Sequence, residues 1–213
     1  MAQTAMIWGA GGGIGRALLR LLRAEGWTTI GVARELEAVA EIADHAFMAD
    51  VTQSVMVSHA VLQAGYEVDD VQLWVYAAGD ITSARVQEMT APDWERIIGA
   101  NLNGAFAATQ ASLPLLADDA HLFYLGAVSE RLRLPGLSAY VAAKAGLEAW
   151  AVAFAKEQRR RKVTVVRPGA VDTPFWDKVP LRLPKDAASP EQIANRILEA
   201  YAASTTGQLD LTH

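Results

Sequence analysis

The sequence predicts an α/β fold, a doubly wound parallel sheet flanked by helices on both faces, as a single domain over residues 1–213. Three observations predict it. Apolar runs of strand length alternate with helix-period segments from one end to the other. The strand-length runs, Val71–Tyr76 and Val163–Val166 among them, are apolar on both faces, as strands covered on both sides must be. A glycine-rich turn joins the first strand to the first helix. No repeat, low-complexity tract or linker divides the chain, and 213 residues suit one domain with a substantial core.

In order, Ala5–Trp8 reads as a short buried strand, Ile14–Ala24 as a helix and Thr28–Val32 as a second strand. A helix near Glu35–Ala43, a strand at Ala46–Met48 and a helix through Val55–Gln63 follow. Val71–Tyr76 is a strand, Asp93–Leu116 one long helix with Pro114 near its end, and His121–Leu125 a strand. A helix over Ala139–Gln158, the strand Val163–Val166, a helix over Pro190–Ala202 and a weak strand near Gln208–Leu211 complete the order.

Composition narrows the function classes. A net charge of −5 offers no basic surface for nucleic acid. Apolar runs break well short of a membrane span, and no basic segment followed by an apolar stretch opens the chain. The absence of cysteine excludes disulfides and thiol catalysis and fits a reducing compartment, so a cytoplasmic location is expected. His45, His59, His121 and His213 are scattered without ligand spacing, and no catalytic metal is expected.

The turn after the first strand carries Gly9, Gly13, Ile14 and Gly15 in a G-x-x-x-G-I-G pattern. Glycine permits positive φ, lets the backbone approach a pyrophosphate and allows close helix–strand packing. The N–H groups of the helix start then hold the anion, aided by the helix dipole. The second strand ends in Ala33-Arg34 with no preceding carboxylate. A cation there accommodates the 2′-phosphate of NADP, whereas NAD enzymes place a carboxylate on the ribose. NADP(H) is therefore favoured over NAD(H).

Tyr140 and Lys144 lie four apart in a helical segment, so both side chains leave one face. A free tyrosine has a pKa of about 10 and is a poor acid or base at neutrality. A neighbouring ammonium favours the phenolate and is expected to bring that acidity toward the working range.

These segments resemble the short-chain dehydrogenase/reductase family along nearly the whole chain. The glycine spacing matches that family's phosphate turn, with Trp8 in place of its usual Thr or Ser, and Ser138-Ala139-Tyr140 to Gly146 resembles its active-site segment. The resemblance implies a Rossmann-type NAD(P)-binding domain with Tyr140 as acid/base and Lys144 also holding the nicotinamide ribose. Asn101 matches the asparagine that supports a proton relay through water and lysine. Asp50 and Val51 match the pair beside the adenine, and Ala78 and Gly79 the turn after the fourth strand, with Tyr76 replacing a typical Asn. Pro168, Gly169, Val171 and Thr173 match the segment lining the nicotinamide. In this family the helices matching Asp93–Leu116 and Ala139–Gln158, the latter with Trp150 and Phe154, form a four-helix interface, so a homodimer or homotetramer is expected.

Two departures stand out. The family places a serine thirteen residues before the tyrosine, to bond the substrate carbonyl; here that position is Ala127. Dihydropteridine reductases also carry Gly-Ala at this point, although they favour NADH and lack the matching asparagine. The substrate-covering lid, at about 174–189, is short, which predicts an open cleft or one completed by a partner subunit. Lys178, Arg182 and Lys185 in it, with Arg131 and Arg133 opposite, read either as a solvated face or as an attraction for an anionic substrate. The expected function is hydride transfer to or from a carbonyl, alcohol or similar electrophile. A dihydropteridine reductase-like enzyme without the serine, or a dinucleotide-binding protein with weak or no catalysis, remain alternatives.

Overall fold

The computed structural model describes residues 3–179 and 181–211. Seven parallel strands form one sheet in the order β3-β2-β1-β4-β5-β6-β7. They are β1 (Thr4–Trp8), β2 (Thr28–Ala33), β3 (His45–Met48), β4 (Val71–Tyr76), β5 (Leu116–Leu125), β6 (Lys162–Pro168) and β7 (Gly207–Leu211). The chain builds outward from β1 to β3, returns to lay β4 against β1, and continues the other way. This reversal between β1 and β4 opens a crevice at the carboxyl ends of the strands, where such sheets bind ligands.

Alternate side chains of each strand feed opposite cores. Met6, Trp8, Trp74, Tyr76 and Tyr124 face one side, packed beneath α2 (Ser54–Glu67), α4 (Gly104–Ser112) and α5 (Ser138–Glu157). Ile7, Leu73, Val75 and Phe123 face the other, under α1 (Gly13–Ala24) and α6 (Pro190–Ala202). The first side is unusually aromatic: Trp74 stacks on Tyr76 with centroids 6.2 Å apart and lies 5.4 Å from Tyr124.

The strands and most helices fall where the periodicity predicts, but two helices do not. Over residues 35–43 only a 3₁₀ turn forms, Leu36–Ala38. The Ala38 carbonyl accepts from Arg16 Nη1 at 3.1 Å and the Glu41 carbonyl from Arg23 Nη1 at 2.9 Å, so side chains of α1 take acceptors that a helix would use. The single helix expected over 93–116 is instead α3 (Ala91–Ile98), a π turn at Gly99–Asn103, α4, and a 3₁₀ turn at Leu113–Leu115.

The cause of that interruption is tertiary. Tyr76 donates its hydroxyl proton to the Ala100 carbonyl at 2.7 Å, and Asn101 Nδ2 donates to the Ile97 carbonyl at 2.9 Å. Both bonds fall on carbonyls in or beside the π turn, a feature that often marks functional sites. Gly104 makes room: a Cβ there would stand 2.5 Å from the Tyr76 hydroxyl oxygen. Pro114, without an N–H, fits the 3₁₀ turn that ends the run, and β5 begins at Leu116, earlier than predicted.

Trp150 and Phe154 of α5 are largely accounted for within the chain, stacked on one another and, for Trp150, edge-on to Tyr124 at 5.4 Å. Trp94, Phe106 and Val152 remain between 43% and 49% exposed on α3, α4 and α5. Among the described residues no helix is long and apolar enough to cross a membrane.

Candidate active site

The glycine turn lies at the crevice, and Gly9, Gly13 and Gly15 each have a separate steric reason. Gly9 has φ +76°, and a Cβ on it would stand 2.5 Å from Ala78 Cα on the neighbouring strand end. A Cβ on Gly15 would meet the Gly9 carbonyl oxygen at 2.5 Å, and one on Gly13 the Thr173 methyl at 2.6 Å. Gly9 and Ala10 both donate to the Val32 carbonyl at 3.0 Å, which pins the turn to the end of β2. Gly12, the residue capping α1, supplies no side-chain acceptor. The first-turn N–H groups around Ile14 are thus oriented for an anion. This cradle, which side chains would fill, fits a pyrophosphate.

Arg34 is exposed just past the end of β2 on the same rim. Asp50 follows β3, where its Oδ1 accepts from the Thr52 amide at 2.9 Å and the Thr52 hydroxyl at 2.8 Å. Val51 is buried beside it, and Ala78 and Gly79 follow β4 half-buried. Pro168 ends β6, Gly169 donates to the Leu211 carbonyl at 3.0 Å, and Val171 is buried. All of these predicted cofactor positions lie at the carboxyl ends of the strands.

Tyr140 and Lys144 project inward from the first half of α5, 8% and 4% exposed. Lys144 Nζ donates to the Leu125 carbonyl at 2.7 Å and lies 5.7 Å from the Tyr140 ring centroid. Asn101, wholly buried in the π turn, donates through Nδ2 to the Asp80 carbonyl at 2.6 Å, while its Oδ1 has no protein partner. That oxygen and Lys144 Nζ lie 2.7 and 3.7 Å from one point, the place a Cβ of Gly79 would occupy. Asn101 and Lys144 therefore both border Gly79.

One electrostatic expectation is corrected. A neighbouring ammonium lowers a phenol's pKa, but burial pushes the Tyr140 phenol up. Burial also pulls the Lys144 ammonium down to about 8, partly opposed by the charge of Glu148. Desolvation penalises the charged form of each group.

Ala127 is buried, and its backbone is braced rather than free: its amide donates to Glu148 Oε1 and its carbonyl accepts from Arg167 Nε, both at 3.4 Å. Arg167 also pairs with Glu130, with Glu148 at 3.5 Å and with Asp210 at 3.2 Å. Ser129 is buried, with its amide on the Ala127 carbonyl at 2.8 Å.

The segment after Thr173 packs against Tyr140, where its shortness predicts an open cleft or one completed by a partner subunit. Its 3₁₀ turn, Pro174–Lys178, sets Phe175 against Tyr140 with ring centroids 5.7 Å apart. Phe175 and Val179 pack on a cluster of Ile81, Ile97, Leu137, Ala139 and Tyr140. Lys178 is no loose member of a cationic face, because its Nζ bonds Asp80 at 2.6 Å. Arg131, Arg133, Arg182 and Lys185 are exposed.

Sequence reasoning passed over Asp80, Glu148 and Phe175. Two signals were present: a charged residue directly after the Gly79 strand end, and a glutamate continuing the Tyr140–Lys144 face by one helical turn.

Residues 3–183 match the family model described as short chain dehydrogenase. Among curated relatives, 3-oxoacyl-(acyl-carrier-protein) reductase FabG of Thermotoga maritima is 27% identical, over 92% of this chain and 89% of that protein. The Escherichia coli protein of the same name is 29% identical, over 80% and 74%. Two solved structures share the fold at 22% identity, each aligned over 99% of this chain. The ligand-free aldohexose dehydrogenase of Thermoplasma acidophilum has a TM-score of 0.87 over 92% of its chain. The Brucella melitensis 3-ketoacyl-(acyl-carrier-protein) reductase complexed with NADH has 0.88 over 96%. With its glycine cradle at the strand reversal and a family match over most of its length, the chain belongs to the short-chain dehydrogenase family of NAD(P)-dependent oxidoreductases.

Proposed function

We propose that this protein is an NADP(H)-dependent reductase of a carbonyl or similarly electrophilic carbon, with Tyr140 as the proton donor. The observation that carries the reading is the convergence of Tyr140, Lys144 and Asn101 on the crevice beside the glycine cradle. Gly9, Gly13, Ile14 and Gly15 hold the pyrophosphate on backbone N–H groups. Asp50 and Val51 border the adenine, and Arg34 forks onto the 2′-phosphate. Ala78, Gly79, Pro168, Gly169, Val171 and Thr173 line the path to the nicotinamide. Bound there, NADPH supplies the hydride that reduces the substrate carbon.

Tyr140 is suited to donate rather than accept, because burial keeps the phenol neutral. As negative charge develops on the substrate oxygen, its hydroxyl proton moves there. Lys144, ammonium in the resting site, steadies the phenolate left behind, and Asn101 Oδ1 accepts a hydrogen bond on the route that returns the proton. With Lys144 drawn down to about 8, kcat/KM for reduction is expected to fall about tenfold per pH unit above that value. A pH–rate profile flat from about pH 7 to 10 contradicts the assigned part of Lys144.

A second reading is favoured by Ala127, whose methyl offers no hydroxyl at the oxygen-binding position. A substrate that is already electrophilic, a quinonoid dihydropterin or a quinone, needs no such donor. The reading that the chain binds a dinucleotide with little or no catalysis predicts no turnover on any of these. The half-exposed Trp94, Phe106 and Val152 support association into a homodimer or homotetramer. A cytoplasmic location is in keeping with a cysteine-free chain.

Fluorescence titration of NADPH against NADH, followed by a panel of ketones, quinones and quinonoid dihydropterin, tests the function. Arg34→Ala is expected to weaken NADPH by about tenfold or more while leaving NADH unchanged. Equal or tighter NADH binding by the native protein removes the part given to Arg34.

A further inference from the structure

Asp80 follows Gly79 at the carboxyl end of β4, and three elements converge on it. Its side chain is 5% exposed. Oδ1 accepts from Lys178 Nζ at 2.6 Å and from the Ile81 amide at 2.9 Å, and Oδ2 pairs with the Arg96 guanidinium of α3. Its backbone carbonyl accepts from Asn101 Nδ2 at 2.6 Å. Burial by itself raises such a carboxyl's pKa, but the Lys178 hydrogen bond, the Ile81 amide and the charges of Lys178 and Arg96 outweigh it. Asp80 is held below the usual carboxylate range and is ionised at neutrality.

The two cations differ in kind. Arg96 lies on α3 and is also bonded to Asp93 at 3.1 Å, so it is part of the fixed frame. Lys178 is 43% exposed and ends the 3₁₀ turn whose Phe175 lies against the Tyr140 ring. The middle of that turn is anchored, because Trp176 Nε1 donates to the Val171 carbonyl at 2.8 Å and Val171 bridges to Ala188. Releasing Lys178 returns its ammonium to water while Asp80 keeps Arg96 and the Ile81 amide, so no buried carboxylate is stranded. Such a pair opens at modest cost, unlike one in which both ions are enclosed.

We propose that Asp80 and Lys178 form the latch of a substrate lid, closing Pro174–Val179 over Tyr140 and opening to admit substrate. Asp80 is thereby a positioning residue on two sides: its carboxylate holds the lid, and its carbonyl orients the Asn101 amide. The inference rests on the reading of Tyr140 as proton donor only for its purpose, since the latch itself is measured without turnover.

The test compares the full-length native protein with Lys178→Met, which keeps the aliphatic stem, and Lys178→Arg, which keeps the charge. Hydrogen exchange of peptides covering 174–179 is the first readout, and nitration of Tyr140 by tetranitromethane, read by mass spectrometry, is the second. Lys178→Met is expected to raise both by about tenfold, with peptides from β4 and β5 unchanged and Lys178→Arg near native. No acceleration, acceleration without faster Tyr140 nitration, an equal effect of Lys178→Arg, or acceleration spread through the sheet overturns the latch. Turnover unaffected by Tyr140→Phe would sink the function reading and leave these readouts untouched, so the two failures are distinguishable.

Discussion

Replacing Tyr140 with phenylalanine is expected to lower kcat for reduction by about 10²–10⁴-fold, the usual contribution of a positioned general acid. The change removes one oxygen and little else. The ring keeps its contact with Phe175 and its place beside Ile81 and Leu137. Lys144 keeps its bond to the Leu125 carbonyl, and the glycine cradle is untouched. NADPH affinity is therefore expected to stay within a few-fold of native. Steady-state rates beside a cofactor titration separate the two quantities. Loss of both together means a collapsed site, and unchanged turnover removes Tyr140 from the chemistry.

The second large effect is expected at Arg167, on stability more than on chemistry. Its side chain is 9% exposed and meets three carboxylates, of which Glu148 is itself 10% exposed. Arg167→Met leaves Glu148 enclosed without its cation, a situation that costs about 3–5 kcal/mol. For a chain of this size that corresponds to a Tm lower by roughly 6–20 °C. Burial already raises the Glu148 carboxyl above its usual value, and losing Arg167 raises it further. A carboxyl whose folded pKa is raised costs stability above its unfolded value and is relieved by protonation. The deficit is therefore expected to be smaller at about pH 5 than at about pH 8. Adding Glu148→Gln should restore part of the loss, since no charge is then stranded. Thermal melts at the two pH values check both statements, and a loss independent of pH contradicts the role given to Glu148. Because Arg167 also bonds the Ala127 carbonyl, the chain just past the end of β5 should loosen with it.

Much of this molecule was legible in the linear chain because it is locally encoded. Alternation placed β4 at Val71–Tyr76 and α6 at Pro190–Ala202 to the residue. Glycine spacing located the anion cradle, and a four-residue interval placed Tyr140 and Lys144 on one face.

The misreadings share a cause. Residues 93–116 carry a helical pattern up to Pro114, and the π turn within it coincides with a bond from Tyr76, 24 residues before Ala100, to the Ala100 carbonyl. A strand tyrosine offers no local sign that it will reach a helix across the core. The lid looked open because its length says nothing of Phe175, and Lys178 looked solvated because its partner Asp80 lies 98 residues away. The tyrosine's acidity was judged from its lysine, whereas burial, a property of the whole fold, dominates it.

The sequence by itself determined the sheet, the cradle and the Tyr140–Lys144 pair, since periodicity, glycine sterics and helical spacing act within a few residues. Only the tertiary structure decided where the helix breaks, how Ala127 is braced by Glu148 and Arg167, and what covers Tyr140. Those depend on desolvation and on pairings between distant segments, whose energies exist only once the chain has brought the partners together.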